Sequence, residues 1–185
     1  NILNFARNCK DLIRFVYFST DEVFGPAPNG VMYDERARYN STNPYSATKA
    51  GGEELAVSFH NTYGLPVYVC HTMNVFGQRQ HPEKYVPMSI KNILNGGVIG
   101  VHADPVTGQP GSRYYVHVSD VADAIMFLLD LKHTTFEPDY GGAKCPKFNI
   151  VGNEEINNLE LVSIIANIMK RELKYKLVDF NTSRP

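Results

Sequence analysis

Five side chains in two short stretches could carry acid–base chemistry on an alcohol. Ser19-Thr20-Asp21-Glu22 sets a hydroxyl next to two adjacent carboxyls, and Tyr45-Ser46-Ala47-Thr48-Lys49 sets a phenol four residues before an amine. On a helix, that spacing puts Tyr45 and Lys49 on one face. A cation beside a phenol favours the phenolate, which can take a proton from a hydroxyl as hydride leaves the same carbon. Two neighbouring carboxyls can divide the work, one protonated as acid and one ionised as base. Thr20 can hydrogen-bond a substrate hydroxyl. Taken singly, each stretch also has an ordinary reading: an exposed Tyr/Lys pair on a helix, and a solvated acidic turn after a strand.

The elements that must position these groups can be read from the pattern. Residues 14–19 are β-formers and read as a strand. Gly25-Pro26-Ala27-Pro28-Asn29-Gly30 then breaks regular structure and opens a long polar loop to Thr42. Asn43-Pro44 is a helix start, with a capping side chain followed by proline at the first helical position. That helix is expected to run to Tyr63, stopped by Gly64 with Pro66 beyond. Gly51-Gly52 inside it imply close packing against a neighbour. Residues 67–73 are apolar enough for a central strand, and strand–helix–strand implies a parallel sheet. Ligands of such sheets bind at the carboxyl ends of the strands, which is where both stretches fall.

Further along, residues 1–12 read as the end of a helix, and the pattern predicts helices over 87–95, 121–131 and 158–173. Ser119-Asp120 is the expected cap of the second of these. Strands are expected over 98–102, 114–118, 148–152 and 175–180, with a turn-rich loop at 104–111 and an irregular stretch at 132–147. The fold class is therefore α/β, built on a parallel sheet.

With 185 residues and a formal net charge of −1, the chain can bury a sizeable core and offers no electrostatic case for nucleic acid or an anionic membrane. No apolar run approaches the ~20 residues of a membrane-spanning helix. Cys9, Cys70 and Cys145 are odd in number and far apart, which fits a reducing, cytoplasmic compartment better than a disulfide framework. The six histidines lack ligand spacing, so no metal is expected. Asn74 ends the second strand, where its amide could hold a ligand or cap the turn before Gly77. Lys84, Arg113 and Arg184 are candidate phosphate contacts that singly read as surface charges. His117 reads as a packed strand histidine.

In combination these residues resemble a known family. Ser-Thr-Asp-Glu-Val-Phe-Gly at 19–25 and Asn-Pro-Tyr-Ser-Ala-Thr-Lys at 43–49 look like the extended short-chain dehydrogenase/reductase superfamily. Tyr-Gly-Leu-Pro at 63–66, Asn-Val-Phe-Gly at 74–77, His-Pro-Glu-Lys at 81–84 and Gly-Ser-Arg-Tyr-Tyr-Val-His-Val-Ser-Asp-Val-Ala at 111–122 agree in order and spacing. So do Phe-Asn-Ile at 148–150 and Arg184-Pro185. Thr-Asp-Glu makes the dTDP-glucose 4,6-dehydratases the nearest branch, since 4-epimerases usually lack the carboxyl pair. UDP-glucuronate decarboxylases and GDP-mannose dehydratases typically carry Ser-Glu there.

The resemblance implies a fold, a reaction and a set of roles. The fold is the C-terminal part of a Rossmann-like doubly wound parallel sheet plus a smaller α/β substrate-binding region. The implied organisation assigns 1–78 to the second half of the NAD-binding domain, with 113–133 returning to it, and 79–112 and 134–185 to the nucleotide-sugar-binding region. Tyr45, assisted by Lys49, deprotonates the C4 hydroxyl of a nucleotide-linked glucose while hydride passes to NAD. Glu22 then removes the C5 proton, Asp21 protonates the leaving C6 hydroxyl, and the hydride returns to C6. Thr20 holds the C4 hydroxyl, Ser19 lies beside the cofactor, and Val75 approaches the nicotinamide through its backbone. Asn74, Lys84, Tyr85, Arg113, Asn149 and Arg184 line the nucleotide-diphosphate site. Val101 and His102 stand where the family has a Pro-Ile-Tyr-like run, which alters stacking on the base, and the loop at 104–112 is longer than usual. A nucleotide-diphosphate sugar is the implied partner and a homodimer the implied assembly. The sequence contains no Gly-x-x-Gly-x-x-Gly to cradle a pyrophosphate, so residues 1–185 are read as a fragment expected to be inactive and without tight NAD binding alone. The competing readings are a sugar 4-epimerase or decarboxylase, and a non-catalytic nucleotide-sugar-binding module.

Overall fold

Parallel strand pairing decides where the chemistry lies. The computed structural model describes residues 1–28, 30–131 and 145–179. Its contacts divide the chain into two units: unit 1 holds Asn1–Met73 and Asp120–Val151, and unit 2 holds Asn74–Ser119 and the chain from Gly152 onward.

In unit 1, strand β1 (Phe15–Thr20) runs parallel to β2 (Val67–Thr72), with Phe15 opposite Val67 and Thr20 opposite Thr72. Strand β6 (Lys147–Ile150) extends the sheet on the other side of β2, also parallel, giving the order β1-β2-β6. Helix α2 (Pro44–Tyr63) makes the crossover from β1 to β2. Its start is the expected one: the Asn43 side chain accepts from Ser46 N–H at 2.8 Å, and Ser46 Oγ reaches back to the Asn43 N–H. It ends at Gly64, whose φ of +68° is open to glycine without strain. Short helix α1 (Ile2–Arg7) buries Leu3 and Ala6 in a core with Ala56 and Val57 of α2 and with Val67 and Val69 of β2.

Of the paired glycines in α2, only Gly52 is needed for packing. A β-carbon there would lie 2.2 Å from the Tyr17 hydroxyl, whereas one at Gly51 would meet nothing within 4 Å. Tyr17, on β1, uses that space to donate to the Lys49 carbonyl at 3.1 Å. Helix and sheet are thereby locked beside the Tyr45–Lys49 turn.

Unit 2 holds two sheets. Strand β3 (Asn74–Phe76) pairs parallel with β5 (Ser112–His117), and β7 (Glu155–Asn157) pairs antiparallel with β5. Strands β4 (Val98–Ala103) and β8 (Lys174–Asp179) form a parallel pair. Helices α3 (Tyr85–Leu94) and α5 (Asn158–Met169) pack with β4 around Ile93, Ile99, Val101, Val162 and Ala166.

Five expectations need correction. The first helix stops at Arg7, capped at Asn8, rather than reaching residue 12. Strands β3 and β7 are additional to those expected, being of three residues each and too short to show a period. Helix α4 (Val118–Asp130) begins before Ser119-Asp120, so those residues lie in its first turn rather than before it. The cap there is His117, whose Nδ1 accepts from the Ser119 N–H at 3.3 Å and lies 2.7 Å from Ser119 Oγ. Helix α5 stops at Met169 because Lys170 turns left-handed, at φ +52°. Helix α3 starts two residues ahead of Pro87, which its first turn tolerates. The predicted irregular stretch at 132–147 lies mostly outside the described residues, as does residue 180 of the last strand.

Candidate active site

The strand β1 ends at Thr20, and the chain folds at once into a single 3-10 turn, Asp21–Phe24. The Thr20 hydroxyl caps that turn by accepting from the Glu22 N–H at 3.4 Å, and donates to Asp21 Oδ1 at 3.2 Å. Val23 and Phe24 anchor it from below, at 0% and 3% exposure, against Ala50 of α2. The two carboxyls are therefore left on the upper side of a turn whose apolar half is buried. Gly25 closes the turn at φ +72°, where a β-carbon would lie 2.4 Å from the Asn40 carbonyl.

The two chemical stretches meet through Asn43. Its Nδ2 donates to Glu22 Oε2 at 2.9 Å, while its Oδ1 caps α2. One amide thus ties the carboxyl turn to the helix that presents Tyr45 and Lys49. Tyr45 is 55% exposed. Lys49 Nζ donates to the Phe18 carbonyl near the carboxyl end of β1 and lies 5.0 Å from the centre of the Tyr17 ring. Burial, the Glu53 carboxylate and Tyr45 all raise the pKa of Tyr17, which keeps it a neutral donor to the helix backbone.

Beneath this face lies a buried ionic cluster whose members are not among the residues singled out from the sequence. Glu53, two helical turns beyond Tyr45, and His71 of β2 are both 0% exposed. His71 Nε2 lies 3.1 and 3.0 Å from the two Glu53 oxygens, and Lys147 Nζ of β6 pairs with Glu53 at 2.9 Å. Tyr39, from the loop after the carboxyl turn, donates to the same carboxylate and accepts from Lys147 at 2.8 Å. Burial acts to raise the Glu53 pKa, but the hydrogen bonds from His71 and Tyr39 and the charge on His71 overcome it and hold the group down at about 2. Tyr39 is shifted upward by its own burial and by Glu53. The signal that could have found Glu53 is its place at Tyr45 plus eight on a helix face already committed to the sheet.

Ser19, Thr20, Asp21, Glu22, Tyr45, Lys49 and Asn149 all belong to unit 1. Ser19 is buried at 3% exposure. Asn149 is engaged with the loop after the turn: its N–H donates to Glu35 at 2.8 Å and its Nδ2 to the Tyr33 carbonyl at 3.3 Å. The other candidates that are described belong to unit 2. Asn74 Nδ2 donates to the Tyr114 carbonyl at 3.4 Å, and the Val75 carbonyl accepts from Gln80 at 2.8 Å. Lys84 is exposed ahead of α3, and the Tyr85 hydroxyl donates to the Asn158 carbonyl at 3.2 Å, with its pKa pushed by burial to about 12. Val101 is fully buried, so only its backbone is left to meet a ligand, whereas His102 is half-buried. Arg113 is exposed, its guanidinium on the Ser112 carbonyl at 2.7 Å. Arg184 lies outside the described residues. Among the described residues no group of three or more His, Cys, Asp or Glu side chains could hold a metal, and no helix is long and apolar enough to cross a membrane.

Parallel sheets flanked by helices, with the acid–base groups at the carboxyl edge of one of them, define a Rossmann-like α/β protein. The model of the NAD dependent epimerase/dehydratase family matches residues 1–140, and the chain belongs to that family. A dTDP-glucose 4,6-dehydratase of Streptomyces niveus is 37% identical over 153 residues, covering 82% of this chain and 41% of the relative. The dTDP-D-glucose 4,6-dehydratase of Dictyostelium discoideum is 33% identical over 180 residues, 90% of this chain and 37% of its own. Among solved structures, a dTDP-glucose 4,6-dehydratase of Streptomyces venezuelae with NAD bound superposes with a TM-score of 0.79 at 30% identity. That match covers 96% of this chain and 51% of the other. The chain thus spans about half the length, or less, of the relatives it matches.

Proposed function

We propose that the protein is a nucleotide-sugar 4,6-dehydratase, converting dTDP-glucose or a related nucleotide-linked hexose to its 4-keto-6-deoxy form. The observation that carries this reading is the Asn43 bridge, which ties Glu22, beside Asp21, to the cap of the helix bearing Tyr45 and Lys49. An alcohol-oxidising pair and a carboxyl pair at one edge suit oxidation followed by loss of water. The 4,6-dehydratase relatives at 33–37% identity support the same reaction.

The residues present fit the nicotinamide end of NAD: an exposed phenol for the reacting alcohol, and, one helical turn on, an ammonium at the carboxyl end of β1 for ribose hydroxyls. NAD, when bound, supplies the transient acceptor for a hydride that leaves C4 and returns at C6. The chain's own groups handle the protons. Thr20 holds the C4 oxygen and Tyr45 takes its proton, with the Lys49 ammonium balancing the phenolate charge. The resulting ketone acidifies C5–H, and Glu22 removes that proton and returns it to C5 once water has left. Asp21 delivers a proton to the C6 oxygen, so that C6–O breaks and water leaves. Asn74, Lys84, Arg113 and Arg184 would hold the nucleotide diphosphate, as cations and amides suit. On the same reading the protein is cytoplasmic and a homodimer.

The test is to incubate the full-length protein with dTDP-glucose and NAD and assay the product. A 4-keto-6-deoxy sugar, seen by its absorbance in alkali, is the expected result. A product that keeps its C6 oxygen, or that has lost carbon dioxide, would overturn the assignment in favour of an epimerase or decarboxylase.

A further inference from the structure

Glu53 repeats the spacing of the acid–base pair: Tyr45, Lys49 and Glu53 fall at intervals of four along one side of α2. The first two reach the carboxyl edge of the sheet, and the third is buried behind it. Its carboxylate gathers side chains from three further elements of unit 1: His71 from β2, Lys147 from β6 and Tyr39 from the loop. Tyr17 of β1 and Cys145 also face it closely enough to feel its charge. Compared with packed apolar groups of equal volume, such a cluster often adds no net stability, although an existing one is destabilised when a partner is removed. What it touches suggests another role. The His71 ring packs on Phe24 with centroids 4.8 Å apart, and the residue after Tyr39, Asn40, donates its N–H to the Val23 carbonyl at 2.8 Å. Val23 and Phe24 are the buried half of the turn that carries Asp21 and Glu22.

We propose that Glu53 is a positioning residue for the acid–base face, its carboxylate setting α2, and with it Tyr45 and Lys49, against the carboxyl turn through His71, Tyr39 and Lys147. Only the name of the reaction rests on the dehydratase reading; the geometry does not. Removing the charge releases Tyr39 and Lys147, loosens the loop over Val23 and frees the turn to drift from the Asn43 cap. Misplacement of this kind lowers turnover far more than substrate binding.

The experiment has two arms. In the full-length protein, Glu53→Gln is expected to reduce kcat by about tenfold or more while KM for dTDP-glucose changes by less than about threefold. By hydrogen exchange, the Glu22, Gly25, Asn40 and Ser46 amides are expected to lose protection by about tenfold, with β4 and β8 unchanged. Should Glu53→Gln unfold, the variant E53L/H71L/K147M fills the same space with apolar groups and is expected to fold and show the same two losses. A folded variant with unchanged protection at those four amides overturns the proposal, as does full kcat in a protein that is merely less heat-stable. A wild-type protein that performs no dehydration removes the reaction reading, and the exchange arm then decides the positioning role by itself.

Discussion

At the scale of single residues, the two carboxyls and the phenol are asked to act in sequence, and that order can be read in variants. On the proposed dehydratase reading, Glu22 would take a carbon-bound proton only after C4 has been oxidised. The Glu22→Gln variant is therefore expected to oxidise the sugar and stop, so that reduced nicotinamide accumulates at about 340 nm while dehydration falls by about 10²–10⁴-fold. Tyr45→Phe is expected to block the first step and show no reduced nicotinamide. Equal behaviour of the two variants would mean that Glu22 is not the base. Asn43 has a double duty, since its Oδ1 caps α2 and its Nδ2 holds Glu22. Asn43→Asp keeps the cap but sets a second carboxylate against Glu22. It is expected to preserve thermal stability within about 1 kcal/mol while lowering turnover, and a variant with full turnover would break the link between cap and base.

Among the elements, α2 does most to place the site. Proline at its first position, a capping asparagine and a terminal glycine mark both ends in the sequence, and the helix runs over the expected Pro44–Tyr63. The apolar runs of β1 and β2 show their parallel pairing equally well. What could not be read is what depends on contact. Nothing in the spacing of Glu53, His71 and Lys147 brings them together; the sheet does that, by setting β2 and β6 side by side under the helix. The paired glycines are legible as a packing signal, but which one packs is settled by Tyr17. Gly52→Ala drives a methyl group into the Tyr17 hydroxyl and is expected to destabilise by about 1–3 kcal/mol. Gly51→Ala meets open space and is expected to stabilise by about 0.5–1 kcal/mol. Thermal unfolding of the two variants checks this, and shifts of the same sign would refute the packing account.

For the molecule as a whole, the buried cluster makes stability depend on acidity in a defined direction. The Glu53 pKa lies at about 2 in the folded chain, below its ordinary 4.5. A lowered carboxyl contributes stability that is present above pH 4.5 and is lost as pH falls towards 2. The contribution is on the order of 3 kcal/mol, since each tenfold change in proton affinity is worth about 1.4 kcal/mol. Denaturant unfolding at pH 6 and pH 3 should show about 2 kcal/mol of this loss in the wild type, since pH 3 still lies above the folded pKa, and a smaller loss in Glu53→Gln. Equal losses would mean that the cluster does not hold its charge.

The family and its α/β fold follow from the matched sequence and the parallel sheets, and the dehydratase assignment rests on the carboxyl turn and the Tyr45–Lys49 helix sharing one edge. The most direct test of that assignment follows the hydrogen itself. The full-length protein is given NAD and dTDP-glucose deuterated at C4, and the product is read by mass and NMR spectroscopy. The expected product is a 4-keto sugar with one deuterium in its C6 methyl group and one oxygen fewer. Deuterium that remains at C4 of a sugar with its C6 hydroxyl intact would contradict the account.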